Sequence, residues 1–194
     1  MLKPEVSIRD NASPRLQELY DRVAPGRRRP LMKRLGMAME AVLREHFKER
    51  NLSSDSDSKR ARKGFPRSGL WNRIRQQTAL SATTDNSAIV SIGEPAMATK
   101  LFGATITPGP GKKFLAIPLR AAVYGKSPRG NPVEGLFFKR FRDRAYLAAQ
   151  DDDRLRVYYI LLRSVRVPRD PDALPDDMPR RLERVAEKEV LRGI

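Results

Sequence analysis

The spacing of apolar residues changes period twice along the chain, and that change most constrains the fold. Over 30–49, Leu31, Leu35, Ala38, Met39, Val42 and His46 share one helical face, with Met32, Leu43 and Phe47 beside it and Pro30 at the start. A shorter helix is predicted over 14–24, with Ser13 as its N-cap, Leu16, Leu19, Tyr20 and Val23 on one stripe, and Pro25-Gly26 as its stop. Leu70, Trp71, Ile74 and Gln77 continue the helical spacing over 66–79. Beyond that point the chain turns to strand character. Segments 86–92 and 113–119 read as strands and 136–141 as a strand or turn, and Pro118, which lacks an N–H, marks an edge or a strand end. Leu155, Val157, Tyr159, Leu161, Val165 and Val167 alternate over 155–167, and Arg163 interrupts them where a bend is expected. A short helix over 95–102 lies between Pro95 and Gly103, and 107–111 is a turn. After an extended connector at 168–175, Leu182, Val185, Ala186 and Val190 face inward from a last helix over 179–191.

Helices, then strands, then a helix predict an α+β fold, with helices packed on one side of a small antiparallel sheet. The expected organisation is a single domain over 1–175, carrying long loops at 51–64 and 120–135, with the C-terminal helix of 176–194 packed on it. Segment 51–64 is polar and passes from acidic to basic within a few residues, and 120–135 is rich in Gly and Pro. Such compositions bury too little to order alone, so both loops are expected to order against neighbouring subunits.

A chain of 194 residues can bury a core without staples, and it has no cysteine, which excludes disulfides, zinc ribbons and thiol nucleophiles. The N-terminal residues show no apolar signal-peptide core, and the longest apolar run, 157–162, is far too short to span a bilayer, so a soluble protein with no membrane partner is expected. The net charge is +16, all of it within 1–150, because residues 151–194 are balanced. A field of that size attracts nucleic acid or an acidic protein surface.

Catalytic chemistry finds little footing. His46 is the only histidine, and it falls on the apolar stripe of its helix, where a packed residue is expected. Asp151, Asp152 and Asp153 could attract a divalent cation, but they lack EF-hand spacing, and neighbours in a strand point to opposite faces. The segments Gly109-Pro110-Gly111 and Ser127-Pro128-Arg129-Gly130 lack phosphate-loop spacing. Binding or structure is favoured over enzymatic activity, with no cofactor and no metal. Three basic clusters stand out: Arg27-Arg28-Arg29, then Lys59-Arg60-Ala61-Arg62-Lys63, then Arg140, Arg142 and Arg144 after Phe137-Phe138. Basic residues beside aromatic ones read as an interface anchor with a polar rim. The candidate assembly contacts are therefore Arg60, Arg62, Lys63, Phe65, Trp71, Phe137, Phe138 and Arg140.

A series of short motifs from about residue 30 to 175 resembles a known family. They are the amphipathic helix ending in His46-Phe47, then Arg67-Ser68-Gly69-Leu70 with Ile74, then Ala88-Ile89-Val90-Ser91-Ile92-Gly93. Ala98-Thr99-Lys100-Leu101-Phe102-Gly103, the Ile117-Pro118 strand and the strand from Tyr158 to Pro168 follow. In this order they are similar to the virion-morphogenesis and tail-completion proteins of tailed bacteriophages, the Mu-like group and its HK97-type neck relatives. Trp71 stands where that family more usually has a smaller polar residue. The resemblance implies a structural virion protein that forms a homo-oligomeric ring, hexameric or twelve-fold, at the head–tail junction or tail end. It implies neck, portal or tail proteins as partners, possible contact with packaged DNA, and a place in the virion after assembly in the host cytoplasm. The reading from charge alone is a basic nucleic-acid-binding protein without sequence specificity.

Overall fold

A computed structural model describes residues 12–53, 55–130, 133–151 and 154–192. The chain is α+β, and its contacts divide it into two compact, interleaved units where the sequence reads as one domain. One unit comprises Met1–Lys48, Ile74–Gly93 and Leu174–Ile194, and the other comprises Glu49–Arg73 and Glu94–Ala173. The strands are shared among three small antiparallel sheets.

The first unit holds α1 (Ala12–Val23), most of α2 (Arg29–Leu52), a hairpin of β1 (Thr78–Thr83) and β2 (Ala88–Ile92), and α6 (Met178–Val190). Helix α1 includes Ser13, so the expected N-cap lies inside the helix. The buried line of α2 runs through Gly36, Leu43 and Phe47, rotated from the predicted stripe. The rotation has a steric cause. A Cβ on Gly36 would stand 2.5 Å from Leu80 Cδ1 and 2.8 Å from Ala88 Cβ, so the missing side chain lets the hairpin lie against the helix backbone. His46 is half-buried and stands edge-on to Phe47 at 5.7 Å between ring centroids.

The Leu80 N–H of β1 donates to Glu40 Oε2 at 3.0 Å, and Glu40 also pairs with Arg44. The Leu80 bond and the Arg44 guanidinium together hold the Glu40 carboxyl below its usual range. The helix predicted over 66–79 ends earlier, as α4 (Leu70–Gln76), because Thr78 already opens β1 opposite Ile92. Helix α6 presents Leu182, Val185, Ala186 and Val190 half-buried. Its C-terminus is capped by Arg22 of α1, which donates to the Val190 carbonyl at 3.1 Å and to the Arg192 carbonyl, where a cation suits the helix dipole.

The second unit contains α3 (Asp55–Arg62), the first turn of α4, α5 (Ala96–Phe102), a two-stranded pair of β3 (Ala104–Ile106) with β8 (Val165–Val167), and a four-stranded sheet. That sheet has the order β4 (Leu115–Pro118), β7 (Arg154–Leu162), β6 (Arg144–Asp151), β5 (Phe137–Phe141). Strands β7 and β8 part at Arg163-Ser164, where the sequence predicts the bend. Asp152 and Asp153 lie outside the described residues. Gly103, at φ +71°, ends α5 where a Cβ would meet the Val167 carbonyl and the Arg169 N–H at 3.1 Å.

Both expected loops are tied down within the chain. Segment 51–64 is largely helical: α2 runs to Leu52 and α3 follows. The acid-to-base order that reads as disorder also matches a helix dipole, with Lys59, Arg60 and Arg62 in the last turn. Gly64, at φ +73°, closes α3, with the Phe65 N–H bonded to the Arg60 carbonyl and the Gly64 N–H to the Ala61 carbonyl. Within the described residues 120–130 and 133–135 the segment is irregular apart from two 3₁₀ turns, and its first half folds onto its own sheet. There Val123 is fully buried, and the hydroxyl of buried Tyr159 on β7 donates to the Lys126 carbonyl at 3.2 Å.

Candidate assembly surface

The candidate residues fall into three settings within the second unit, only two of them on the surface. The first is built around α3. Asp57 is 5 % exposed and accepts the Ser68 N–H at 2.9 Å. Burial pushes its carboxyl up, but the Ser68 and Gly69 N–H groups, the Ser68 hydroxyl and the Arg60 charge outweigh that and hold it below the usual aspartate range. One turn on, the Arg60 guanidinium lies 4.8 Å from the centroid of Tyr124 and 5.8 Å from that of Phe65, and the two rings meet edge-to-face at 5.9 Å. Arg60 Nε also donates to the Pro66 carbonyl at 3.3 Å. Arg60 and Phe65 thus hold the end of α3 in place, while Arg62 and Lys63 stand exposed beyond them. Tyr124 carried no signal in the sequence, because its partners are some sixty residues away in the chain.

The second setting is internal. Trp71 is 5 % exposed, with the Arg50 guanidinium 4.8 Å and Lys100 Nζ 5.7 Å from its ring centroid. Asp170 joins both cations, accepting from Arg50 at 2.6 Å and pairing with Lys100 at 3.7 Å. Trp71 is therefore a buried residue with two cations gathered beside it by Asp170, and it offers almost no surface to a neighbour.

The third setting is β5, the outer strand of the four-stranded sheet, whose five residues are all exposed. Phe137, Lys139 and Phe141 alternate with Phe138 and Arg140, so each face of the strand carries phenylalanine and a cation. Phe137, Phe138 and Phe141 are 41 %, 56 % and 61 % exposed. The turn into β6 consists of Arg142 and Asp143, with Arg142 in the left-handed region at φ +51° and its guanidinium 5.4 Å from the Phe141 ring centroid. Lys139 and Phe141 belong to this row but were not singled out in the sequence, because Phe-Phe-Lys-Arg-Phe does not alternate.

The opposite edge of the same sheet is treated differently. Strand β4 ends at Pro118, which has no N–H to offer, and the next N–H, of Leu119, is turned inward to the Tyr158 carbonyl at 2.8 Å. One edge is blunted and the other is left open, with three aromatic side chains on it.

Elsewhere, the first unit has a groove of about 610 Å³ lined by Arg22, Leu31, Arg34, Glu189 and Val190 among others. Its charges are largely matched internally, as in Arg34 with Glu189 and Arg27 with Asp21. Among the described residues no group of three His, Cys, Asp or Glu side chains could hold a metal ion, and no helix is long and apolar enough to cross a membrane. Comparison with protein-family models, curated proteins and solved structures finds no match for the chain.

Proposed function

We propose that this chain is a structural bacteriophage virion protein of the neck or tail-completion type, which forms an oligomeric ring at the head–tail junction or tail end during assembly. The observation that carries its role as an assembly part, rather than the ring itself, is the open β5 edge. Its exposed Phe137, Phe138 and Phe141, rimmed by Lys139 and Arg140, compose a face to be completed by another chain. The motif order resembling the tail-completion group supports the same reading, with neck, portal or tail proteins as neighbours and no enzymatic role.

Electron microscopy of the purified protein, and of particles lacking it, tests the proposal. Rings, together with tailless or unjoined heads in the deficient particles, are expected. Phe138→Ser with Phe141→Ser should leave the fold intact and reduce incorporation into particles. A monomer whose loss leaves particles whole would refute the proposal.

The second reading, a nucleic-acid binder without sequence specificity, is favoured by the charge distribution. The second unit holds 22 of the 39 basic and 11 of the 23 acidic residues, a net +11. It requires tight retardation of DNA with a steep dependence on salt.

A further inference from the structure

The β5 edge also carries information about what completes it. We infer that β5 accepts an acidic extended segment of a partner protein as a fifth strand of its sheet. The inference rests on the reading of β5 as a contact face given above and adds the identity of the occupant.

The first step is the contrast between the two edges. A sheet edge guarded against pairing is short, charged and free of exposed aromatics. Here β4 is closed by Pro118, while β5 exposes three phenylalanines and its outer row of backbone groups.

The second step is the pattern. A strand laid beside β5 places its residues opposite Phe137, Phe138, Lys139, Arg140 and Phe141 in turn. Complementarity asks for apolar residues opposite the phenylalanines and two successive acids opposite Lys139 and Arg140. Those two cations point to opposite faces, so the acids of the incoming strand straddle it. No ion pair among the described residues involves Lys139 or Arg140, and Arg142 adds a third cation at the tip.

The third step excludes the nearer candidates. A second copy pairing β5 with β5 in antiparallel register about Lys139 would set that lysine against itself, and it would bring together two units of net charge +11. Directly opposed like charges destabilise a strand pair. Strand β4 of another copy offers Leu115-Ala116-Ile117-Pro118, with no acid and one missing donor. Duplex DNA would use the cations but leave the phenylalanine rows unmatched, and a single strand, whose bases could stack on the phenylalanines, would still leave the backbone edge unpaired.

The test uses the full-length protein and a fluorescein-labelled synthetic peptide in which Val-Glu-Glu-Val is flanked by threonines, with a Lys-Lys counterpart and a proline-interrupted version. The acidic peptide should bind about tenfold or more tightly than the basic one, as expected when two facing pairs change from opposite to like charge. The proline version should lose most of the affinity. Lys139→Glu with Arg140→Glu, both on exposed positions, should invert the preference, and Phe138→Ser with Phe141→Ser should weaken both peptides. Circular dichroism and thermal unfolding verify that each variant is folded. Equal affinities, absence of binding, or an unchanged preference in the charge-reversed variant would overturn the inference. So would displacement of the peptide by an oligonucleotide, or by self-association that the β5 variants abolish. Rings without peptide binding would overturn this inference alone, whereas peptide binding by a protein that forms no ring and enters no particle would overturn only the virion reading.

Discussion

Replacing Asp57 with alanine separates the structure from the reading of 51–64 as a flexible loop. In a solvated loop such a change alters stability by no more than about 0.5 kcal/mol. In the structure Asp57 is 5 % exposed and accepts from the Ser68 backbone at 2.9 Å, with the Gly69 N–H also directed to it. The carboxylate therefore satisfies the donors at the entrance to α4 from a neighbouring helix, which is the work of an N-cap. Losing an N-cap acceptor costs about 0.5–2 kcal/mol, and a buried donor left without a partner about 1–3 kcal/mol. Ser68 and Gly69 are only half-buried, so water recovers part of the loss, and about 2 kcal/mol is expected. For a chain of this size that lowers the melting temperature by roughly 4–8 °C. Asp57→Asn keeps one carbonyl acceptor and should lose about half as much.

The pH dependence gives a second reading of the same contact. The Asp57 carboxyl lies below its unfolded value of about 3.9, so the unfolded chain binds its proton first as pH falls. The contribution is complete above about pH 5 and is lost as pH falls through about 4 toward the folded value. The stability gap between wild type and Asp57→Ala, measured by urea unfolding, should therefore be full at neutral pH and shrink through that window. Identical urea midpoints at neutral pH would refute the anchoring of α3. A gap that did not change with pH would refute the charge-assisted bond as its cause.

Two further substitutions probe the contacts that shape each unit. Gly36→Ala, ordinarily favourable inside a helix, should destabilise by about 1–3 kcal/mol, because the Ala88 Cβ at 2.8 Å cannot turn aside as the tip of Leu80 can; denaturant unfolding measures it, and a stabilised protein would contradict the packing. Tyr159→Phe removes the donor to the Lys126 carbonyl and should cost about 1 kcal/mol. Hydrogen exchange at Val123 and Tyr124 should quicken while the strands around them stay protected.

What was legible in the sequence was whatever announced itself through period or punctuation. Helix α2, the short helix before Gly103, and the break between β7 and β8 at Arg163 all followed from side-chain spacing or a terminating glycine. Helix α3 was illegible because its stability comes from ends and anchors. It has almost no apolar side chain, and it stands on a buried aspartate, a glycine cap and the stack of Arg60 on Tyr124. Strand β6 was missed for a different reason. It lies inside the sheet, where the buried positions Ala148 and Ala149 are small, and alanine gives alternation no contrast. The same limit applies to the surface. Phe137 and Phe138 were visible as a pair, but whether they point into a core or off an open edge depends on the strand order β4-β7-β6-β5, which is set by pairings across the chain. Trp71 shows the converse: an aromatic beside cations reads the same whether the cations cover it or rim it, and here Arg50 and Lys100 cover it.

The disposition of acids explains why the excess charge faces outward. In the second unit Asp57 is committed to the α4 entrance, Asp170 to Arg50 and Lys100, and Glu94 to Arg73. Three of the eleven carboxylates of this unit are thus engaged in holding the fold. Arg62, Lys63, Lys139 and Arg140 belong to no ion pair among the described residues. Their field reaches only about 8 Å at physiological ionic strength, so it acts once a partner is already close. Charge therefore governs how fast and in what register a partner docks, and salt should slow that step. How long the partner stays depends on the apolar rows of Phe137, Phe138 and Phe141 and on the backbone edge beside them, which salt does not screen. On the proposed reading, an edge built in this way selects a partner by charge and holds it by burial.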